Sequence, residues 1–193
     1  MSLHTSGSQT VGPYYRIGME PGFITTVASP ETPGEHVMIC GRILDGDGKP
    51  VPDAVIETWQ ADAAGHYAHP EDGQPTVSAT GFVGFGRAGT DDDGFYSLTT
   101  IKPGRVAGSG DALQAPHLVV LVFMRGLLKH LVTRMYFPGE ASNDEDAILA
   151  LVPVERRSTL IARPARAEEN LPANALVWDI HLQGDEETVF FDA

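Results

Sequence analysis

The chain has a single cysteine, Cys40, among its 193 residues, so no disulfide can form within it. This thiol stands in the apolar run 37–43, and we expect it to be buried and unreactive. The sequence also lacks any run of the roughly 18 to 20 apolar residues that a membrane-spanning helix needs. Residues 1–10 have neither the basic patch nor the apolar core of a secretion signal. We therefore expect a cytoplasmic protein that does not enter a membrane.

Basic residues are scarce as well. Thirteen lysines and arginines stand against 26 aspartates and glutamates, which gives a net charge of -13. A field of this sign repels polyanions, so nucleic acid is not expected as a partner. A small anionic substrate is still compatible with it, because salt screens charges over about 8 Å and local groups control a pocket. Such a pocket would need an arginine of its own.

Helical patterns are rare, and short strand patterns dominate. Only residues 143–152 combine an acidic start with an apolar continuation, as a helix does. Residues 117–124 and 127–137 are apolar runs separated by Arg125-Gly126, and they predict a central hairpin. Further strand patterns, each next to a turn signal or a chain end, lie at 36–44, 54–60, 95–101, 175–182 and, more weakly, 188–191.

These patterns predict an all-β fold, an antiparallel β-sandwich with long loops and one or two short helices. Residues 1–35 scatter glycine and proline through mostly polar sequence, which predicts an irregular N-terminal arm. Aromatic residues in such a segment usually mark packing against something, including a partner chain. Residues 36–193 then form the sandwich as a single domain. The loops at 61–80 and 102–116 are where we expect a functional site.

Three motifs favour ordinary structure over a function. The segment 84–89 matches a dinucleotide fingerprint, but three aspartates and a strand pattern follow it where a helix would be needed. The turns that begin at Asp45 and Asp91 lack the closing glutamate of a calcium loop and predict hairpin turns. His66 and His69 stand in a loop with glycine and proline, where solvent exposure is the usual outcome.

Several segments, in order along nearly the whole chain, carry a resemblance to a known family. They are Ser8–Tyr14, Gly41–Ala54, Glu57–Asp62, Thr100–Gly104, Ala115–His117, Arg134–Phe137 and Gln183–Asp192. Together they resemble the intradiol ring-cleavage dioxygenases, and within them the chain of two-chain members that does not bind the iron. The resemblance implies the same sandwich fold.

In that family two tyrosinates and two histidines hold Fe(III). By position, Tyr67 and His117 match one ligand of each kind, whereas Val106 and Val119 replace the other two. Gln114 stands where iron-binding chains have an arginine. The resemblance therefore implies that this chain has only half of a metal site, binds no metal and has no catalytic residue of its own.

The resemblance also implies a partner: a homologous beta chain that binds Fe(III) and, with O2, cleaves protocatechuate to 3-carboxy-cis,cis-muconate in aromatic catabolism. Gly12, Pro13, Tyr14 and Arg125 of this chain would reach into the partner's substrate pocket. Arg125 would meet the substrate carboxylate within an otherwise acidic protein. The assembly would be a large hetero-oligomer.

Two alternatives remain open from the sequence. The chain could be a sandwich used only for binding or scaffolding, with no part in a catalytic site. It could instead be a self-sufficient dioxygenase in which other donors, His66 or His69, replace the missing ligands.

Overall fold

The computed structural model describes residues 5–72, 81–108, 110 and 112–192. Within them the strands are β1 (His36–Leu44), β2 (Val55–Trp59), β3 (Phe85–Gly89), β4 (Phe95–Ile101), β5 (Val106–Ala107), β6 (Leu113–Gln114), β7 (His117–Phe123), β8 (Leu131–Tyr136), β9 (Arg163–Pro164), β10 (Ala175–Val177) and β11 (Ile180–His181). One short α-helix, α1, spans Tyr14–Met19. The remaining helical turns are of the 3-10 type, at Glu20–Gly22, Pro70–Asp72, Ala141–Glu145, Leu149–Leu151, Val154–Leu160 and Ala167–Glu169. No helix in these residues has the length and apolar character needed to cross a membrane.

Two sheets pack face to face, as the sequence predicts. One sheet has the order β3-β2-β7-β8 and is antiparallel throughout. In the other sheet, β1 pairs antiparallel with β4 on one side, and it pairs with both β10 and β11 on its other side. The pairings of β1 with β10 and β11 are parallel, so the sandwich is not antiparallel in every pair. The predicted hairpin between 117–124 and 127–137 is confirmed as β7 and β8.

Strand alternation places one set of side chains between the sheets. β7 contributes Leu118, Val120 and Val122 to the main core, where they meet residues of the opposite sheet. Those residues include Ile39, Ile43, Tyr96, Trp178 and Ile180. Cys40 is fully buried, as expected from its apolar surroundings. The other face of β7 is left free to carry a site.

The two aspartate turns have the same construction. Asp45 Oδ1 accepts hydrogen bonds from the backbone N–H groups of Asp47 and Lys49, and Asp91 Oδ1 accepts them from Asp93 and Phe95. The first turn leads from β1 to β2 and the second from β3 to β4, so each carries the chain from one sheet to the other. Turns are confirmed at both places, but the prediction that they are hairpin turns is wrong. β1 does not pair with β2, nor β3 with β4, because both turns cross between the sheets.

The N-terminal arm has two parts with different surroundings. Residues 14–22 form α1 and a 3-10 turn, which is more regular than their glycine and proline content predicts. From Ile24 onward the segment joins its own chain: Ile24 forms a bridge with Arg87, and Val27 N donates to Thr99 O at 2.8 Å. Val27 and Ala28 are buried.

The segment 143–152 forms two 3-10 turns instead of one helix. Asp146 is buried, and its Oδ1 accepts hydrogen bonds from the N–H groups of Ile148 and Leu149. These local side-chain bonds compete with regular helical ones. The final strand pattern is likewise divided into β10 and β11, and 188–191 contributes a single bridge between Phe191 and Val132.

Replacement of Asp146 by alanine tests how much its carboxylate contributes to the stability of the fold. Its Oδ2 also accepts from Ala115 N at 2.7 Å, and Tyr136 donates to Oδ1 at 3.1 Å, so three buried donors and the half-buried Ile148 N–H depend on one carboxylate. We expect Asp146→Ala to lower the free energy of unfolding by about 3 kcal/mol or more, because buried donors lose their acceptor. Urea unfolding measures this, with the exposed Asp144→Ala as control. Equal midpoints for the two variants would contradict the role.

Candidate functional site

The outer face of the four-stranded sheet carries the positions that the sequence singles out. His117 and Val119 point to this face because they alternate with the core residues Leu118 and Val120. Arg134 lies next to Val119 on β8, and Trp59 lies next to it on β2. Two of the four predicted ligand positions, His117 and Val119, therefore lie at this end of the sheet.

The loops that carry the other two positions pack against each other. Gly104 N donates to Asp62 O at 2.8 Å, which ties the loop before Val106 to the loop before Tyr67. Gly65 has a φ of +86°, and a Cβ built on it would lie 2.1 Å from Arg105 O. Only glycine allows this close approach. The Gly65-His66-Tyr67 motif thus serves to bring both loops to one site.

Tyr67 lies flat against the sheet. Its ring stacks on Trp59 with centroids 5.9 Å apart and an interplanar angle of 4°. Burial raises the pKa of the Tyr67 phenol, and the nearby Arg134 lowers it only in part. The hydroxyl of the metal-free chain is therefore protonated at neutral pH. A ferric site requires the anionic phenolate.

His117 is buried, and one of its ring nitrogens is already used. Nδ1 donates to Ala115 O at 2.7 Å, which leaves Nε2 as the acceptor of a neutral ring. Burial lowers the pKa of His117, and the charge of Arg134 lowers it further, against the hydrogen bond to Ala115. The ring lies 5.8 Å from that of Tyr136.

The two valine positions stand beside a polar contact. Val106 pairs with Gln114 between β5 and β6, and Val119 pairs with Arg134 between β7 and β8. Arg134 Nη1 donates to Gln114 Oε1 at 2.7 Å. The structure therefore brings all four family positions into one neighbourhood, with this contact among them.

These residues do not fit a ferric ion. They offer one phenol and one imidazole, whereas both valines lack a donor atom and the Arg134 guanidinium is a fixed positive charge with no lone pair. Across the described ranges, no group of three or more His, Cys, Asp or Glu side chains is placed to hold a metal.

His66 and His69 do not complete the donor set. His69 is exposed, and its Nδ1 accepts a hydrogen bond from Glu71 N at 3.2 Å. His66 Nδ1 is buried and has no hydrogen-bond partner among the described residues, but a single further nitrogen would still leave one ligand missing.

A second group of predicted residues lies at the opposite end of β7. Gly126 N donates to Thr10 Oγ1 at 2.7 Å, which fastens the arm to the turn that contains Arg125. Tyr15 contacts Phe123, with ring centroids 5.6 Å apart, and Arg16 Nε donates to Thr90 O at 2.9 Å. Gly12, Pro13 and Tyr14 lie between these attachments. Tyr14 itself is 81% exposed.

Arg125 is exposed, but its side chain is held beside the buried carboxylate oxygens of Asp53. Its Nε lies 3.1 Å from Asp53 Oδ2, and the side chain of Asp53 is 13% exposed against 57% for Arg125. Neither oxygen of Asp53 has a hydrogen-bond partner in the described part of the chain. Asp53 was not identified from the sequence, since it stands in an ordinary turn and its contact with Arg125 joins residues far apart in the chain.

The two groups are well separated. Six residue steps along β7, from His117 to Phe123, span about 20 Å. Arg125 and residues 10–16 of the arm therefore lie at the other end of the strand from His117. Arg134 was also missed by the sequence analysis, although it is the one charged residue within β8, and a charge inside an apolar strand was an available signal.

Comparison with known proteins shows the family and the fold of this chain. A family model described as Dioxygenase matches residues 11–184. The protocatechuate 3,4-dioxygenase alpha chain of Burkholderia cepacia is 42% identical, over 99% of this chain and 98% of its own length. The beta chain from the same organism is 36% identical over 84% of this chain and 70% of its own length.

A solved structure shows the same architecture. The dioxygenase domain of a carbohydrate-binding fusion protein from Streptomyces sp. SirexAA-E superposes with a TM-score of 0.63. It is 26% identical and covers 86% of this chain, which covers 88% of that domain.

The buried state of His117 predicts a pH dependence. Its pKa is lower in the folded than in the unfolded chain, so its contribution to stability is complete above the unfolded value of 6.5 and is lost as the pH falls through the folded value. We expect His117→Gln to lose less stability than the native chain between pH 7 and pH 5. Thermal unfolding at both pH values measures the difference, with the exposed His69→Gln as control. Parallel losses in the native chain and His117→Gln would contradict the assignment.

Proposed function

Because this chain belongs to the intradiol dioxygenase family, we propose that it is the iron-free subunit of a two-chain protocatechuate 3,4-dioxygenase. Its similarity to an alpha chain extends over nearly its full length. Its own ligand positions hold Tyr67, His117 and two valines, a set that does not fit the metal on which the family depends. Both features support a chain that contributes to catalysis only with a partner.

The observation that carries this proposal is the separation between the two ends of β7. Arg125 and residues 10–16 of the arm lie at the Phe123 end of β7, about 20 Å along the strand from His117, so they do not border His117 of their own chain. They are nevertheless held in defined positions, through Thr10, Tyr15, Arg16 and Asp53. Exposed residues that are held in place in this way at one end of β7 are suited to line a pocket of another chain.

The partner in this proposal is a homologous beta chain that binds Fe(III). With O2 it cleaves the aromatic ring of protocatechuate between the two hydroxylated carbons, and both oxygen atoms enter the product, 3-carboxy-cis,cis-muconate. The contribution of this chain is to bind and orient the substrate. Larger assemblies of such pairs form the hetero-oligomer.

Arg125 supplies recognition of the substrate carboxylate. The chain has a net charge of -13, which would repel an anionic substrate, and a guanidinium at the pocket offsets that field locally. Asp53 faces Nε of Arg125, which orients the side chain and leaves its two terminal nitrogens to meet a carboxylate. Asp53 is thus a positioning residue for Arg125.

Gly12, Pro13 and Tyr14 shape the pocket wall. The hydrogen bond from Tyr15 N to Gly12 O, at 3.0 Å, turns the arm just before α1 and presents Tyr14 outward. An exposed aromatic ring beside a fixed turn is the kind of surface that packs on a partner chain. These residues would close the partner's pocket on one side.

Co-expression tests the proposal directly. A partner gene whose product contains the Pro-Gly-Pro-Tyr and His-x-His motifs is expressed with this chain, and the complex is purified through a tag on this chain alone. We expect a stable complex with about one iron per pair and oxygen uptake that depends on protocatechuate. If the partner is fully active without this chain, or does not associate with it, the chain is a binding or scaffolding module instead.

Replacement of Arg125 tests the substrate contact. In the reconstituted complex we expect Arg125→Ala to raise the KM for protocatechuate about tenfold to a hundredfold, because a charge-assisted contact of about 1.5 to 3 kcal/mol is lost. The KM for catechol, which has no carboxylate, should change little. Steady-state oxygen uptake measures both constants. Lys129→Ala, an exposed cation on the same loop, is the matched control. Equal effects of Arg125→Ala on the two substrates would remove Arg125 from the proposal.

A further inference from the structure

Thr90 is a fully buried threonine directly after β3, and it contacts the segment that contains Asp53. Its hydroxyl donates to Val51 O at 2.7 Å and accepts from Ala54 N at 3.0 Å. Its backbone N–H donates to Ala54 O, also at 3.0 Å. Thr90 therefore holds the segment 51–54 on both sides of Asp53.

The same residue receives the N-terminal arm. Arg16 Nε donates to the backbone carbonyl oxygen of Thr90 at 2.9 Å. Gly89, the last residue of β3, makes room for this contact, because a Cβ built on it would lie 2.6 Å from Phe23 Cζ and 3.1 Å from Arg16 Nε. The arm is thus seated on the chain at Gly89 and Thr90.

Both contacts of Thr90 lead to residues that the proposed function assigns to the partner's pocket. Arg16 follows the exposed turn 12–14 within two residues, and Asp53 Oδ2 lies 3.1 Å from Arg125 Nε. Neither oxygen of Asp53 has a hydrogen-bond partner in the described ranges, so the backbone of its segment decides where the carboxylate stands. Thr90 holds that backbone.

We propose that Thr90 is a positioning residue that sets both parts of the surface offered to the partner. Its carbonyl oxygen holds the arm through Arg16, and its hydroxyl holds Asp53 in place to direct Arg125. Because Thr90 is fully buried, it acts through these residues and does not touch the substrate. The inference rests on the proposed function and names the residue that keeps the arm and Arg125 in register.

The test removes the hydroxyl in the reconstituted two-chain complex. Thr90→Val has nearly the same shape but leaves Val51 O and Ala54 N without this partner. We expect the KM for protocatechuate to rise about fivefold to tenfold, as for about one net hydrogen bond, whereas kcat and the KM for catechol change little. Thr90→Ser keeps the hydroxyl and should restore the native KM. Steady-state oxygen uptake measures these constants.

Two controls separate positioning from general stability. Thr133→Val removes the hydroxyl of another fully buried threonine, which donates to Val189 O at 2.7 Å, and it should leave the KM ratio of the two substrates unchanged. In an Arg125→Ala background, Thr90→Val should raise the KM for protocatechuate no further, because its effect passes through Arg125. Circular dichroism checks folding, and Thr90→Ala replaces Thr90→Val if the latter gives little folded protein.

The chain alone provides a measurement that needs no partner. Amide hydrogen exchange should become faster in residues 51–54 of Thr90→Val, and in residues 10–16 of Arg16→Met, which loses the contact with the Thr90 carbonyl. Thr133→Val should change neither segment. Unchanged exchange in both segments would show that Thr90 holds neither of them.

The kinetic results separate this inference from the proposed function. If Arg125→Ala raises the KM for protocatechuate but Thr90→Val does not, the inference is wrong and the proposed function stands. Additive effects of Thr90→Val and Arg125→Ala would also overturn it, because Thr90 would then act elsewhere. If the complex does not form, or Arg125→Ala has no effect, the proposed function fails first and the inference fails with it.

Discussion

The strand β7 lies in the middle of its sheet, hydrogen-bonded to β2 on one side and to β8 on the other. Its inward side chains form part of the main core, which fixes the strand in position and register. A shift of one residue would turn every side chain to the opposite face, so the core also fixes which residues face outward. The arrangement of both groups of predicted site residues depends on this position and register of β7 between β2 and β8.

The two ends of β7 have different chemistry. At one end the residues of an incomplete metal site surround a guanidinium, and at the other the arm is fastened to the turn that contains Arg125. In the proposed assembly, the first end is a structural part of the subunit and the second serves the partner's pocket. In that assembly the same sandwich would serve catalysis without a complete set of metal ligands of its own.

Electrostatics connect the two ends. The chain is strongly acidic, yet an arginine stands at each end, and its local surroundings decide what its positive charge acts on. Arg125 is exposed and faces a buried carboxylate, which directs it without removing it from solvent. Arg134 is half-buried and hydrogen-bonded to a neutral amide, so its charge acts on Tyr67 and His117 instead. Net charge alone predicts neither behaviour.

The sequence by itself determined the fold class, the central hairpin and the places of the aspartate turns, because alternation and turn chemistry are local signals. It did not determine that both turns cross between sheets, or that Asp146 replaces a helix by 3-10 turns. Nor did it identify the roles of Asp53 and Arg134. The crossings and the contacts of Asp53 and Arg134 depend on residues distant in the chain, which only the packing of the two sheets brings together. The bonds from Asp146 to Ile148 and Leu149 are local, but those from Ala115 and Tyr136 that hold its carboxylate in the interior are not.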